Sequence, residues 1–290
     1  MRDKRMTQSE KYVEGQWYGW NDTKLKVLDL FAGIGGFTLG LEKTGLYETV
    51  AFCEWESTCK EVLKKHWPNV YCYGDIKNLS YIDGGYLYSE DCGVAGFTEV
   101  DVITGGFPCQ DISYTGKGAG IDGERSGHWK HYWRLINEIK PKGIIIENVS
   151  ALRARGLGIV LSDLNEIGYD AEWHCIPASH CGAPHSRDRI WILAYRLSKR
   201  GERLEPLGSV SQIGQGGWGG KEDLQQIYSS PFTRKTDRWP EPLLRRMDVP
   251  LPRRVDRLKQ VGNSVYWPIV EQLGYHLHKN ITNATTATGS

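Results

Sequence analysis

The most reactive-looking group in the chain is Cys109, set in Gly105-Gly106-Phe107-Pro108-Cys109-Gln110. A rigid Gly/Pro turn leading into a helix surrounds a thiol with backbone N–H groups, which favour negative charge. A cysteine there is partly thiolate and can act as a nucleophile. The other cysteines, Cys53, Cys59, Cys72, Cys92, Cys175 and Cys181, lie mostly in apolar runs and read as small packing residues. Seven is an odd number and no Cys-x-x-Cys occurs, so a reducing compartment is expected rather than a disulfide framework. His174-Cys175 and His180-Cys181 form a cluster, but their spacing fits no common zinc pattern, and no metal is expected.

A second group is Glu147, at the end of the apolar run Ile144-Ile145-Ile146. A carboxyl buried by such a run has a raised pKa and can donate a proton to a ring nitrogen; the alternative is a turn-bonding Glu. A third is His185-Ser186-Arg187-Asp188-Arg189, ahead of a strand. Alternate residues share a face, so His185, Arg187 and Arg189 could line one wall and bind a carbonyl or phosphate, or pair with Asp188 and other acids. A fourth is the turn Phe31-Ala32-Gly33-Ile34-Gly35-Gly36, with Glu54 placed 21 residues after Gly33. Glycines allow close ligand approach, and an acid at that distance can accept both hydroxyls of a ribose. Gly33, Gly35 and Gly36 do not spell G-x-G-x-x-G, so the expected ligand is a nucleoside without a pyrophosphate. Asp75, in Gly74-Asp75-Ile76, could hold an adenine amino group or simply cap a turn. Gly262-Asn263-Ser264-Val265 stands before the last helical pattern, where a plain cap is the alternative.

These groups need elements to position them, and the hydrophobic pattern supplies them. Short apolar runs at 26–31, 49–53, 70–73, 100–104 and 143–147 read as buried parallel strands. Helices are expected over 37–43, over 57–66 with Ser57 as a cap, along the Trp129-Tyr132-Trp133-Ile136-Ile139 stripe, and near 159–167. Two more apolar runs end at Ile190-Trp191-Ile192-Leu193-Ala194. Strands alternating with helices give an α/β fold, a doubly wound, mostly parallel sheet. From 196 to about 255 the chain is rich in Gly, Pro, Ser and Arg, and no element is assigned. An amphipathic pattern returns over 261–278, and the Thr/Asn-rich tail beyond reads as frayed.

Composition narrows the class. The formal net charge of +1 excludes a general polycation, so any nucleic-acid surface must come from local segregation. Pro231 to Gln260 holds nine Lys or Arg against four Asp or Glu. No apolar run approaches the roughly 20 residues that span a bilayer, and the first residues lack the apolar core of a signal peptide.

Five ordered segments, Phe31-Ala32-Gly33-x-Gly35-Gly36, Pro108-Cys109-Gln110, Glu147-Asn148-Val149, Arg187-x-Arg189 and Gly262-Asn263-Ser264-Val265, closely resemble the motifs of the DNA cytosine-C5 methyltransferase family, bacterial or phage type. The resemblance covers roughly 25–195 and 254–280. It implies a Rossmann-like S-adenosylmethionine-dependent methyltransferase fold with a small irregular target-recognition domain. The expected order is an extension over 1–23, a catalytic and cofactor-binding domain over 24–195, the recognition region over 196–253, a returning segment over 254–280 and a disordered tail over 281–290. S-adenosylmethionine is the implied cofactor and S-adenosylhomocysteine its product. Phe31, Ala32, Gly33, Gly35, Gly36, Ile76 and Pro108 would contact the cofactor. Glu54 would hold its ribose, Trp55 stack near the adenine, Asp75 bond the amino group, and Asn263, Ser264 and Val265 close the pocket.

The implied chemistry is attack of Cys109 on C6 of a flipped-out cytosine, with Glu147 at N3, Arg189 at O2 and Arg187 bracing. Gln110 and Ser113 would contact DNA, and Gln110–Gly127 would act as a lid. The family usually carries Gln where this chain has His185, so His185 receives no catalytic role. The implied partner is double-stranded DNA, with no membrane, a monomeric state, and a cognate restriction endonuclease as a further candidate. The implied location is the cytoplasm, at the nucleoid. RNA (tRNA) cytosine-C5 methylation is the nearest alternative, disfavoured because the Cys-Phe-Thr signature of the RNA-acting branch does not occur. A catalytically silent DNA-binding protein on this fold, and a small-molecule methyltransferase, are the others.

Overall fold

The computed structural model describes residues 10–13, 16–19, 24–82, 85–97, 99–108, 127–183, 185–196 and 264–286. Cys109, Gln110, Ser113 and Asn263, the lid 110–126 and the recognition region 197–253 lie outside these residues.

The centre is a seven-stranded sheet. Its strands are β3 (Leu25–Leu30), β4 (Tyr47–Cys53), β5 (Tyr71–Tyr73), β9 (Val102–Gly105), β10 (Gly143–Val149), β11 (Tyr169–Pro177) and β12 (Asp188–Arg196). They run in the order β11-β12-β10-β9-β3-β4-β5. All neighbours pair in parallel except β12, which is antiparallel to both β10 and β11. Helices α1 (Gly36–Thr44), α2 (Ser57–His66), α3 (His128–Ile139), α4 (Leu152–Arg155), α5 (Leu157–Glu166) and α6 (Trp267–Thr286) complete the domain. Helix α2 starts at Ser57 itself, with Glu56 in the cap position and no side-chain cap bond.

Successive strand residues point to opposite faces, and the core divides accordingly. Leu28, Ile144, Ile146, Ile190 and Ile192 pack with Trp129, Tyr132 and Ile136 of α3 and Val160 and Leu164 of α5. Val27, Ile145, Trp191 and Leu193 pack on the other face with Phe37 and Leu41 of α1 and Val270, Leu273 and Leu277 of α6. These strands read as unbroken apolar runs because both faces are covered.

Helix α6 returns onto the first helix. A Cβ at Gly40 would lie 2.6 Å from Val270 Cβ and 2.7 Å from the Trp267 carbonyl, so α1 and α6 meet nearly backbone to backbone. Val270, Leu273 and Leu277 are fully buried, each contributing about 1.5–3 kcal/mol. The expected disordered tail begins instead as helix: α6 runs to Thr286 because Ile281 is buried in the α6 cluster, its methyl within 2.8 Å of where a Gly143 Cβ would sit.

Two features have no counterpart in the sequence reading. The extension contains a hairpin, β1 (Glu10–Val13) with β2 (Gln16–Gly19). Between Asp75 and β9 lies a three-stranded antiparallel sheet, β6 (Leu79–Ile82), β7 (Tyr86–Ser89) and β8 (Gly93–Phe97). Arg134 of α3 pins it, donating to the Ile76 and Leu79 carbonyls and to Glu138 Oε1, while Glu138 Oε2 accepts the Tyr81 N–H.

Candidate active site

Strand register brings the motifs to one level. Tyr73, Cys53, Leu30, Gly105 and Ile146 lie side by side across five adjacent strands. The next residues, Gly74, Glu54, Phe31, Gly106 and Glu147, therefore form a row at the carboxyl edge of the sheet, where open α/β sheets bind ligands.

On the left of this row is a cradle. The turn after β3 takes Phe31, Gly33 and Gly35 through positive φ values of 52, 57 and 86°. Strain at a non-glycine such as Phe31 costs about 1–3 kcal/mol and marks a place where the backbone is held for a purpose. The Gly33 N–H donates to Glu54 Oε2 at 2.8 Å, and the Glu56 N–H donates to Oε1 at the same distance. Glu54 is thus a buried, fixed acceptor facing the turn. Trp55 beside it is 76% exposed, an indole face with no protein covering. Gly36 meets the carboxyl-terminal segment: a Cβ there would lie 2.9 Å from the Val265 carbonyl, so Val265 packs against the turn. Ser264 precedes α6 without capping it and donates to the Val265 carbonyl. Asp75 Oδ1 accepts the Lys77 N–H and so caps the turn, with Ile76 buried beneath.

Beneath the turn lies Asp29, whose importance the sequence reading missed. It is fully buried, with Thr104 Oγ1 donating to Oδ1 at 2.8 Å and Thr38 Oγ1 to Oδ2 at 3.0 Å. Burial pushes its pKa up to about 7 against these hydrogen bonds, with Glu54 adding a smaller rise. It ties β3, β9 and α1 together under the cradle.

On the right is Glu147. The sequence ends the strand at Glu147, but β10 continues to Val149 because β12 goes on pairing: Glu147 with Trp191, Asn148 with Ile190, Val149 with Arg189. Glu147 Oε1 lies 2.8 Å from Arg189 Nε. Burial raises the carboxyl's pKa, and the charges of Arg189 and Arg187 pull it partly back. Burial also lowers the Arg187 pKa, with Arg189 adding to that and Glu147 opposing it. Gly106 makes room for the acid, since a Cβ there would lie 2.9 Å from Glu147 Oε2. Asn148 is fully enclosed, and its Nδ2 donates to the Phe107 carbonyl at 3.2 Å, bracing the turn that leads through Pro108 to Cys109. That bracing role is also absent from the sequence reading, although Asn148 stands inside one of its motifs.

β12 begins at Asp188, so both His185 and Arg187 precede the strand. The charges of Arg187 and Arg189 both act on Glu147, whereas the His185 ring packs 6.1 Å from that of Tyr266. His174 is buried beside Glu172, with Nε2 3.6 Å from Oε2, and Glu172 Oε1 also meets His276 Nε2 at 2.7 Å and the Tyr195 hydroxyl at 2.8 Å. His174 therefore belongs to a polar bridge between the sheet and α6. The Cys181 carbonyl accepts the Tyr266 hydroxyl.

A turn facing a fixed acid, beside a buried carboxyl paired with a guanidinium, makes the carboxyl edge of this open α/β sheet a ligand site. Residues 25–235 match the family model for C-5 cytosine-specific DNA methylase, and the chain belongs to that family. It is 36% identical over 186 residues to the type II methyltransferase M.Sau3AI of Staphylococcus aureus, covering 60% of this chain and 44% of that one. It is 35% identical over 178 residues to M2.BsuMI of Bacillus subtilis, covering 59% and 42%. The chain thus spans less than half the length of these two relatives. A solved S. pombe Dnmt2 methyltransferase aligns over 62% of this chain and 52% of its own, with 22% identity and a TM-score of 0.48. Among the described residues no helix is long and apolar enough to cross a membrane.

Proposed function

We propose that the chain is a DNA (cytosine-5)-methyltransferase that uses S-adenosylmethionine, working as a cytoplasmic monomer on duplex DNA. The carrying observation is the row at the sheet edge, with the Glu54 cradle, the turn leading to Cys109 and the Glu147–Arg189 pair on neighbouring strands.

The cradle fits the cofactor on its own evidence. Gly33 leaves the backbone open, both oxygens of Glu54 are oriented by N–H donors, and the exposed indole of Trp55 offers a stacking face. In this reading Phe31, Ala32, Gly33, Gly35 and Gly36 hold the amino-acid part, Glu54 the ribose, and Trp55, Asp75 and Ile76 the adenine. Pro108, Asn263, Ser264 and Val265 complete the wall. Bound S-adenosylmethionine supplies an electrophilic methyl group.

Cytosine C5 is a poor nucleophile until the ring is activated. The Cys109 thiolate forms a bond to C6, and the displaced ring electrons are accommodated as Glu147 gives its proton to N3. Burial shifts that carboxyl toward its protonated form, and Arg189 and Arg187 stabilise O2 and fix the carboxyl's orientation. C5 is then electron-rich. After methylation, loss of the C5 proton expels the thiolate, restores the ring and returns N3 to its starting state. The target must leave the duplex to reach the row, and Gln110 and Ser113 are assigned to the DNA contact made as it does. The role in a restriction system is proposed on the type II names of the relatives.

The test is methyl incorporation from labelled S-adenosylmethionine into duplex DNA and into tRNA, with Cys109→Ser alongside. Incorporation into DNA, abolished in Cys109→Ser while cofactor binding persists, is expected. Incorporation into tRNA alone, or turnover in Cys109→Ser, refutes the proposal.

A further inference from the structure

The turn after β3 rests on a tryptophan that follows α2. A Cβ added at Gly35 would lie 2.6 Å from Cζ3 and 2.7 Å from Cη2 of Trp67. The distal edge of the indole therefore touches the Gly35 backbone, and a residue with a side chain does not fit over it. Gly35 also leads into α1, and its N–H closes the turn on the Ala32 carbonyl at 2.9 Å.

The ring is held from its other edge. Trp67 Nε1 donates to Glu42 Oε2 at 2.9 Å, and Glu42 Oε1 accepts the Thr49 N–H of β4 at 3.4 Å. Phe52 packs edge to face on the indole, with ring centroids 5.7 Å apart. Glu42 lies on α1, about two helical turns beyond Gly35. Turn, helix, carboxylate and indole thus close a circuit, and moving any one of them strains the next.

This packing is local to the cradle. Ala32, Phe52 and Leu63 form a small cluster apart from the two cores that hold the sheet to its helices, and Trp67 packs against it. Ala32 belongs to the turn, and Phe52 stands two residues before Glu54. The Ala32 N–H donates to the Cys53 carbonyl at 3.2 Å, and the Gly33 N–H to Glu54 Oε2 at 2.8 Å. A turn that sank into the place of the indole would draw the Gly33 N–H away from the Glu54 carboxylate.

We propose that Trp67 is a positioning residue for the cofactor: its indole, pinned by Glu42, holds the Gly33–Gly35 turn at the level where Glu54 meets it. This rests on the S-adenosylmethionine reading above. Trp67→Phe keeps an aromatic ring but loses both the distal edge and the N–H. A lost hydrogen bond to a charged acceptor is of the size that changes affinity about tenfold.

The test is calorimetric S-adenosylmethionine binding to the full chain, with methyl-transfer kinetics and urea unfolding of the same preparations. In Trp67→Phe the cofactor Kd and KM should rise about tenfold, while kcat at saturating cofactor and KM for DNA stay within about twofold. Gly35→Ala should weaken cofactor binding less in the Trp67→Phe background than in the wild type, by at least about threefold, because the clashing atoms are gone. Glu42→Gln, which leaves the ring in place, should raise the cofactor Kd about threefold. Wild-type cofactor affinity in a folded Trp67→Phe protein overturns the inference, and so does an equal loss in KM for DNA, which makes the indole general scaffolding. If Trp67→Phe fails to fold, wild-type affinity in Glu42→Gln overturns it. A wild-type chain that binds no S-adenosylmethionine overturns the cofactor reading itself.

Discussion

Gly106→Ala separates the site from the fold. The new methyl carbon would lie 2.9 Å from Glu147 Oε2 and 3.6 Å from the Glu147 carbonyl. Ordinary carbon–oxygen contact begins near 3.4 Å, so about half an ångström must be found. The carboxylate end of a side chain gives way more readily than the paired backbone of β10, so Glu147 is the part that moves. Its 2.8 Å contact with Arg189 then stretches or rotates. A hydrogen bond to a charged group contributes about 1.5–3 kcal/mol, and a catalytic group misplaced by about 1 Å loses roughly 100-fold. The expected result is a drop in kcat/KM of about 10- to 100-fold, with a stability cost of about 1 kcal/mol or less. The assay pairs methyl-transfer kinetics with urea unfolding of the same preparation. Wild-type kinetics in a folded Gly106→Ala protein would refute the claim that the Glu147–Arg189 geometry is needed. An unfolded variant would show instead that β10, not the side chain, takes the strain.

Three further outcomes are expected. Gly36→Ala meets a backbone carbonyl at 2.9 Å, which yields less easily, so S-adenosylmethionine affinity should fall at least about tenfold by calorimetry. Asp29→Asn should change the pH dependence of stability. The carboxyl's pKa rises from its usual 3.8 to about 7 on folding, so this group's contribution to stability is fully present below about 3.8 and is lost, by roughly 4 kcal/mol, as pH climbs to about 7. The Asn variant should lose that decline in denaturant midpoints measured from pH 4 to 8. Glu147→Gln should lower the methyl-transfer rate, and its single-turnover rate should lack the fall with rising pH expected of the wild type as its buried carboxyl loses the proton. An unchanged fall in the variant assigns that proton to another group.

The parallel strands were legible because β3, β9 and β10 are apolar runs covered on both faces, and such runs differ sharply from the turns that end them. The motifs were legible because turn glycines, a lone cysteine and a strand-end acid are chemically unusual where they stand. The β6–β8 sheet was not. Its strands are short, and what holds them is Arg134, more than 35 residues from even the nearest of them in sequence. The last two residues of β10 were missed because polar Asn148 does not look like strand, yet the pairing with β12 carries it and Val149 along. The tail was misjudged because Thr and Asn favour loops in isolation, whereas the burial of Ile281 outweighs that preference.

The sequence by itself determined the inventory: a nucleophile candidate at Cys109, a buried-acid candidate at Glu147, paired arginines, and a turn with an acid at ribose distance. Only the tertiary structure decided which of these share a place. Register across five strands puts Glu54, Phe31, Gly106 and Glu147 in one row, and α6 brings Val265 from the far end of the chain against Gly36. Local spacing fixes which residues share a strand or helix face, but strand pairing and helix packing join residues far apart in the chain. That is why Asp29 and Asn148, ordinary residues in sequence, turn out to brace the two halves of the site.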